Sequence, residues 1–493
     1  MRRVLFLLVL TAFTSSAWRA QAQEVKADVP LSVVRVNVTN QSWDFGRPWG
    51  KRPPFSRRAI GTVLSGNRVL VTAELVANAN FVELETAEGG QKVPATVEVV
   101  DYESNLALIK ADDAAFLKPL KPLEVAAANV GDMLSVWQLE SNGALLVTQA
   151  TMTTAEVTRY PTDDSPLLIY RLTTPLQFRD SSFTLPVVKG GKLVGMVMRY
   201  DNTTNNADVL PAPVIEHFLK DAAKQPYEGF PRVGITSSPT RDPQFRRYLE
   251  LNGTTGGVYI ADTLRDSPAA KAGIEKGDVL LAINGLAVDQ DGNYKDPDYG
   301  KIGISHYFST RHYVGDVVKF TIFRKGEKKD LNVTLARRTV ESYVIEPYVI
   351  DRAPKFYVLG GLVLSELSRQ YLKEYGTDWQ KKAPEQFVYF DKQQNELFKD
   401  GPKKLVFLNR VLPSDLTVGY EDLTQLIVTK VNGVRLEAGL SDLPAALAKA
   451  ENGLHKIEFD GEPGVIYLDA AHATATEKEF QQKYRLPTLQ RIE

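Results

Sequence analysis

Between residue 30 and about residue 200 the chain is broken into short β-forming runs separated by turn residues. Leu31 to Val36, Val69 to Val71, Ala95 to Val100, Leu106 to Ile109 and Leu193 to Val197 are rich in Val, Ile and Leu and too short for amphipathic helices. Strands of this length and spacing bury their apolar faces only by stacking or closing on one another, so a β-sandwich or barrel is expected. At Pro211-Ala212-Pro213 the pattern changes to a short helix, Val214 to Ala223, running into Gly229-Phe230-Pro231. That change places a domain junction near residue 225. A second, mixed unit reaches about Arg338, with Lys319 to Arg324 and Leu331 to Leu335 forming a hairpin around Lys325-Gly326. Residues 341–493 form a third unit.

With 493 residues, 43% hydrophobic and 24% charged, the chain is globular material for two to four domains at about 100–200 residues each. Its 59 Lys and Arg balance 60 Asp and Glu, a formal charge of -1, so no basic field exists to draw in nucleic acid. Arg2 and Arg3, the apolar run Val4 to Phe13 and Ala20-Gln21-Ala22 read as a secretory signal, residues 1–22, leaving a mature chain that starts at Gln23. That run is shorter than the ~20 residues a membrane span needs, and no later stretch is long enough. Cysteine is absent, which excludes disulfides, thiol nucleophiles and Cys-zinc sites. A periplasmic or secreted protein is expected.

Three motif sets share a pattern. Gly61-Thr62-Val63-Leu64 leads to Ala73-Glu74-Leu75-Val76, followed by Asn105-Leu106-Ala107-Leu108-Ile109. Ser267-Pro268-Ala269-Ala270-Lys271-Ala272-Gly273-Ile274 precedes Lys276-Gly277-Asp278-Val279-Leu280-Leu281-Ala282-Ile283-Asn284-Gly285, the most specific motif in the chain. Gly361-Leu362-Val363-Leu364, Val411-Leu412-Pro413 and Val418-Gly419-Tyr420-Glu421 form the third set. Together they resemble the HtrA/Deg family. The resemblance implies a mainly β chain with α+β PDZ units: a trypsin-like double β-barrel over residues 23–225, a first PDZ domain over 226–340 and a divergent PDZ-like domain over 341–493.

The departures from that pattern bear on chemistry. Glu74 stands where the resemblance places the catalytic histidine, and Asn105 where it places the aspartate that orients the ring. A serine protease needs a base that is neutral near pH 7 and able to return its proton to the leaving amine, which a carboxylate does poorly. The five histidines are His217, His306, His312, His455 and His472, so none precedes residue 217. At the nucleophile the chain reads Arg179-Asp180-Ser181-Ser182-Phe183-Thr184-Leu185-Pro186. Anchoring on Pro186 puts Phe183 at the nucleophile, and anchoring on the upstream strand puts Ser181 there. Neither register restores the glycines of an oxyanion loop, since none occurs between Gly143 and Gly190. The expected chain is therefore not an enzyme. The competing readings are a degenerate endopeptidase using Ser181 or Ser182, with Glu74 or a lysine from Lys189-Gly190-Gly191-Lys192 as base, and a structural subunit of mixed oligomers with active homologues.

No metal or cofactor is expected. His306 and His312 lie six apart, which is not the i, i+4 spacing that sets two ligands on one helical face. The acidic stretch Asp289 to Asp298 lacks the ligand spacing of a calcium loop and is expected to be a solvated insertion. Binding chemistry survives. PDZ domains take a free C-terminal peptide as an added strand, and the resemblance places the carboxylate loop at Arg232-Val233-Gly234-Ile235. Arg232 is expected to add charge near the carboxylate. The facing helix is Ile304 to Arg311, with His306, Tyr307 and Phe308 as groove candidates. The aromatic stretch Trp43-Asp44-Phe45-Gly46-Arg47-Pro48-Trp49 lies where family members pack aromatics between subunits of a trimer, so a homotrimer or its multiple is expected. The sum is a pseudoprotease that scaffolds peptides or unfolded proteins, with its second PDZ-like domain serving assembly.

Overall fold

The computed structural model describes residues 23–24, 32–162, 165–177, 184–251 and 253–493. The expected signal sequence, residues 1–22, lies outside the described residues. So do Asp180, Ser181, Ser182 and Phe183.

Residues 32–111 close into a six-stranded antiparallel barrel. Val33–Asn40 pairs with Phe55–Leu64 on one side and Ala79–Glu85 on the other, and Arg68–Val71, Leu106–Ala111 and Lys92–Asp101 complete the ring. Closure removes every free sheet edge, which suits strands this short. Gly61 lets two strands approach closely, because a Cβ there would stand 2.3 Å from the Val69 side chain and 2.7 Å from that of Val36. A second ring follows. Met133–Leu139 pairs with both Leu145–Arg159 and Pro186–Lys189, so the sheet that also contains Pro166–Thr173, Lys192–Asp201 and Asn206–Pro211 closes as well.

The helix expected after Pro211 runs Ala212–Ala222 and carries Pro213 in its first turn, where the missing N–H would have no partner anyway. The mixed unit that follows carries a five-strand path, Ile235–Ser238, Val258–Thr263, Val279–Ile283, Val317–Arg324 and Glu327–Thr334. Its last two strands turn at Lys325 and Gly326, with φ of 48° and 83°, the pair of positive angles that matches strand twist in a two-residue hairpin. The final unit builds an eight-stranded sheet between Phe356–Leu359 and Val465–Asp469, and Gln490–Arg491 adds to the Phe356–Leu359 edge.

These units are fused. One continuous buried cluster joins Val136, Met152 and Ile169 of the second barrel to Val258, Ile260, Phe308 and Phe320 of the PDZ-like unit. The stretch expected to be a solvated insertion is part of the joint. Asn293–Asp296 and Gly300–Gly303 form a hairpin whose Tyr299 hydroxyl meets that of Tyr170 in the barrel at 2.8 Å. Its acids are used locally: Asp289 accepts from the N–H groups of Asp291 and Asn293 and pairs with Lys301 at 2.7 Å.

The aromatic loop corrects a second expectation. Phe45, 6% exposed, packs with Val344, Ile345, Val349 and Leu367 of the C-terminal unit, and its carbonyl accepts from Asn409 Nδ2 at 2.8 Å. The Trp49 ring meets Phe356 edge-on at 6.1 Å, and the Arg491 guanidinium lies 4.7 Å from the Trp43 ring centre. Arg52 pairs with Glu374 across the same seam. The rings need cover, as their apolar area requires, but the chain supplies it from its own C-terminal sheet. Replacing Phe45→Ala should lower stability by about 3 kcal/mol, as expected for deleting a buried aromatic ring. Urea denaturation should show the loss and limited proteolysis should show faster cutting near residues 340–355, while light scattering gives an unchanged mass. A change in oligomeric state would restore the intersubunit role.

Candidate functional site

The degenerate catalytic corner is ordered by local backbone chemistry. Ala73–Val76 makes a single helical turn after Thr72. Asn105 sits opposite, 3% exposed, at φ 55°, a left-handed conformation that asparagine tolerates better than most side chains. Its Oδ1 accepts the Glu74 N–H at 3.0 Å, and its backbone carbonyl accepts the Ala73 N–H at 3.1 Å. An acceptor is thus kept for the backbone of residue 74, while the charge that would stabilise an imidazolium is gone. The Glu74 side chain reaches solvent beside Arg57, whose Nη1 donates to the Glu74 carbonyl at 2.7 Å. Crowding by the surrounding protein pushes the Glu74 carboxyl above its usual range, with Arg57 pulling the other way.

The third triad position, carried by Ser181 or Phe183 with Ser182 beside them, lies outside the described residues. Downstream of it, the Thr184 hydroxyl donates to the Ile60 carbonyl at 2.6 Å. Lys189 and Lys192 are engaged elsewhere, Lys189 with Asp132 and Lys192 with Glu124.

The corner is tied to the next domain by a cluster that sequence reasoning missed. Asp101 and Glu103, both buried, lie in the turn just before Asn105. Glu103 meets Arg232 at 3.1 Å and Arg337 at 3.3 Å, and Asp101 accepts from the Tyr227 hydroxyl. Burial lowers the pKa of the Arg337 guanidinium, but Asp101 and Glu103 more than offset it and hold it above the usual arginine range. No local pattern signals this cluster, because Arg232 and Arg337 are 129 and 234 residues from Glu103.

The peptide groove is the better-formed site. Gly234 has φ +79°, and a Cβ on it would stand 2.3 Å from Ser267 Cβ. The Val233 carbonyl accepts from the Ala269 N–H at 3.0 Å and the Gly234 carbonyl from the Leu264 N–H at 2.9 Å. A trans peptide sets N–H antiparallel to C=O, so the Gly234 N–H points away from Ala269. Ile235 pairs with Thr263 in the register bridged by that Leu264 bond, which turns the N–H and C=O of Ile235 toward the free strand edge. Two N–H groups therefore face an open cleft of about 1050 Å³, lined by Ile304, Ser305 and Phe308 on its far side. Val233 is buried beneath the loop.

Two groove expectations need correction. The Arg232 guanidinium is held by Glu103 at the barrel, so its charge serves the domain junction rather than an incoming carboxylate. His306 is 0% exposed and turned from the cleft toward Asp296, 3.6 Å away. A five-residue helix, Ser305–Ser309, has one face on the groove and one on the barrel, and residue 306 falls on the second. Phe308 does line the cleft and also packs on Phe320, 5.3 Å between ring centres. Tyr307 points elsewhere and accepts from Asn284 Nδ2 at 2.9 Å. His312 pairs with Asp316, well away from a shared ligand geometry with His306.

Two closed antiparallel rings, the first carrying the Glu74–Asn105 corner, followed by two PDZ units, define the class of trypsin-like PDZ proteases and their relatives. Residues 231–335 and 345–490 match two PDZ domain family models. The chain is 23% identical over 461 residues to "Protease Do-like 4, mitochondrial" of Arabidopsis thaliana, covering 93% of this chain and 84% of that protein. It is 24% identical over 490 residues to "Putative protease Do-like 13" of the same plant, covering 98% and 93%. Among solved structures, "HtrA-type protease AlgW with decapeptide" aligns with a TM-score of 0.48 and 17% identity, over 63% of this chain and 97% of that one. The chain carries two PDZ domains and is similar to Do-like proteases over nearly its whole length.

The buried His306 gives this site a pH dependence. Desolvation lowers its pKa from 6.5 to about 4, with Asp296 opposing and Arg311 assisting. Between those two values the unfolded chain binds a proton that the folded chain does not, so stability is fully present above pH 6.5 and falls as pH drops toward 4. The loss is about 3 kcal/mol. Burial lowers the pKa of His217 as well, so it acts in the same direction. Urea midpoints measured from pH 7.5 to 4.5 should show the decline, and His306→Gln should remove most of it. An equal slope in the variant would contradict the assignment.

Proposed function

We propose that this HtrA/Deg-family chain is a catalytically inert, exported peptide-binding protein whose barrels serve as a scaffold for the first PDZ groove. The observation that carries the reading is the Glu74–Asn105 corner. Base and orienter are both replaced, and the one amide oxygen that remains is occupied by the Glu74 backbone N–H. The absence of glycine from Ala144 to Lys189 adds to it, since an oxyanion loop needs backbone free to turn tightly. Export rests on the Arg2-Arg3, apolar and Ala20-Gln21-Ala22 pattern, and among the described residues no helix is long and apolar enough to cross a membrane. A second reading, hydrolysis by Ser181 or Ser182 with Glu74 as base, is favoured by one feature, the raised pKa of the Glu74 carboxyl.

The mature protein should cleave neither unfolded casein nor short peptides above background, and Glu74→His with Asn105→Asp should not restore cleavage. Turnover that disappears in Ser181→Ala or Ser182→Ala would support the second reading instead. In the groove, a free C-terminal carboxylate meets the Gly234 and Ile235 N–H groups while the last side chain rests on Val233, Ile304 and Phe308. Peptides with free apolar C-termini should bind at micromolar levels, roughly 8 kcal/mol. Gly234→Val should abolish binding while circular dichroism stays native, because a β-branched side chain cannot hold φ +79° against Ser267. Equal binding of the C-terminally amidated peptide would rule out carboxylate capture.

A further inference from the structure

The cleft that holds the carboxylate loop is not a property of the first PDZ domain alone. Part of its lining comes from the second, where the exposed side chains of Gln380, Lys392 and Asn395 border the same space. Arg159 of the second barrel closes one end. That part is held in place by direct ties between the two PDZ units: Arg265 donates to the carbonyls of Phe398, Lys399 and Gly401 at 3.2–3.4 Å, and Lys399 pairs with Asp262 at 3.5 Å.

We propose that the second PDZ domain completes the peptide site of the first, and that the completed cleft selects C-terminal peptides carrying acidic side chains upstream of the terminus. This inference rests on the peptide-capture reading above. Its basis is charge placement. Lys271 beside the carboxylate loop, Arg159 from the barrel and Lys392 from the second PDZ unit line one cleft from three domains. Among the described residues no carboxylate lies within 4.0 Å of any of these cations. Three carboxylates also line the cleft: Asp291 is paired with Arg241 and Lys301, Asp391 with Arg369, and Asp266 is exposed beside the carboxylate loop, so the three cations outnumber the one carboxylate outside an ion pair. The whole chain carries a formal charge of -1, so this positive surface is local. A peptide lying antiparallel along Ile235–Ser238 carries its upstream residues away from the carboxylate loop, past Thr236 and Ser237, within the cleft that Lys392 and Arg159 also line. Acidic side chains there gain from Lys392 and Arg159, and basic ones are repelled.

The test uses the full mature chain and two labelled decapeptides sharing a Gly-Leu-Val free C-terminus, one with Glu and one with Lys at the fourth to sixth positions from the end. Fluorescence anisotropy should show the Glu peptide binding about ten-fold tighter near 0.1 M salt, with the difference shrinking near 0.5 M. Lys392→Glu combined with Arg159→Glu, both exposed positions, should cut the difference to within about three-fold while thermal melting is unchanged. Equal binding of the two peptides, each lost on amidation, would overturn the acidic preference and leave carboxylate capture standing. Discrimination that survives the double variant would remove the second PDZ domain from the site. Failure of both peptides to bind would overturn peptide capture itself.

Discussion

The Asp101 and Glu103 carboxylates, buried in the turn just before Asn105, set the arrangement of most of this molecule. They draw Arg232 from the start of the carboxylate loop, Arg337 from the segment after the first PDZ sheet, and the Tyr227 hydroxyl from the interdomain linker into one low-dielectric cluster. Removing one partner of such a cluster costs about 3–5 kcal/mol, because the other charge is left buried without compensation. The pairing therefore specifies geometry more than it adds stability. It fixes where the PDZ groove stands relative to the former catalytic corner.

Two further contacts make the assembly rigid. Tyr299 and the hairpin around it fasten the first PDZ domain to the second barrel, and the Trp43–Trp49 loop fastens the second PDZ domain to the first barrel. Tyr348 adds to the second of these, packing on Tyr102 and Ala73 one residue from Glu74. Here the backbone of residue 74 is held by Asn105 and Arg57, and its neighbours are covered by the chain's own C-terminal half. Burial of apolar surface beside the corner adds stability.

Elements whose signal is local were legible in the sequence. The strand runs, the Pro211 helix start and the Lys325-Gly326 turn follow from β-propensity, the fixed φ of proline and the positive angles of a two-residue hairpin. Gly234 was legible for the same reason, since its role depends on a backbone angle that glycine alone adopts without strain. Partners distant in sequence were not legible. Arg232 looked like a carboxylate ligand because Glu103, its actual partner, is 129 residues away. Trp43 to Trp49 announced a buried aromatic surface, but composition cannot say whether the cover comes from another subunit or from residues 344–491 of the same chain. His306 failed on helix phase: in five residues a one-position error exchanges the groove face for the barrel face.

The most direct test is covalent. The mature protein, folded at pH 7.5, is treated with a fluorophosphonate that labels activated serines, and intact mass is read beside an active trypsin control. A corner with Glu74 and Asn105 in place of base and orienter leaves Ser181 and Ser182 as ordinary hydroxyls, so the predicted mass is that of unmodified protein. A stoichiometric adduct mapped to Ser181 or Ser182 would contradict catalytic inertness, and the chain would have to be treated as a hydrolase with a carboxylate base.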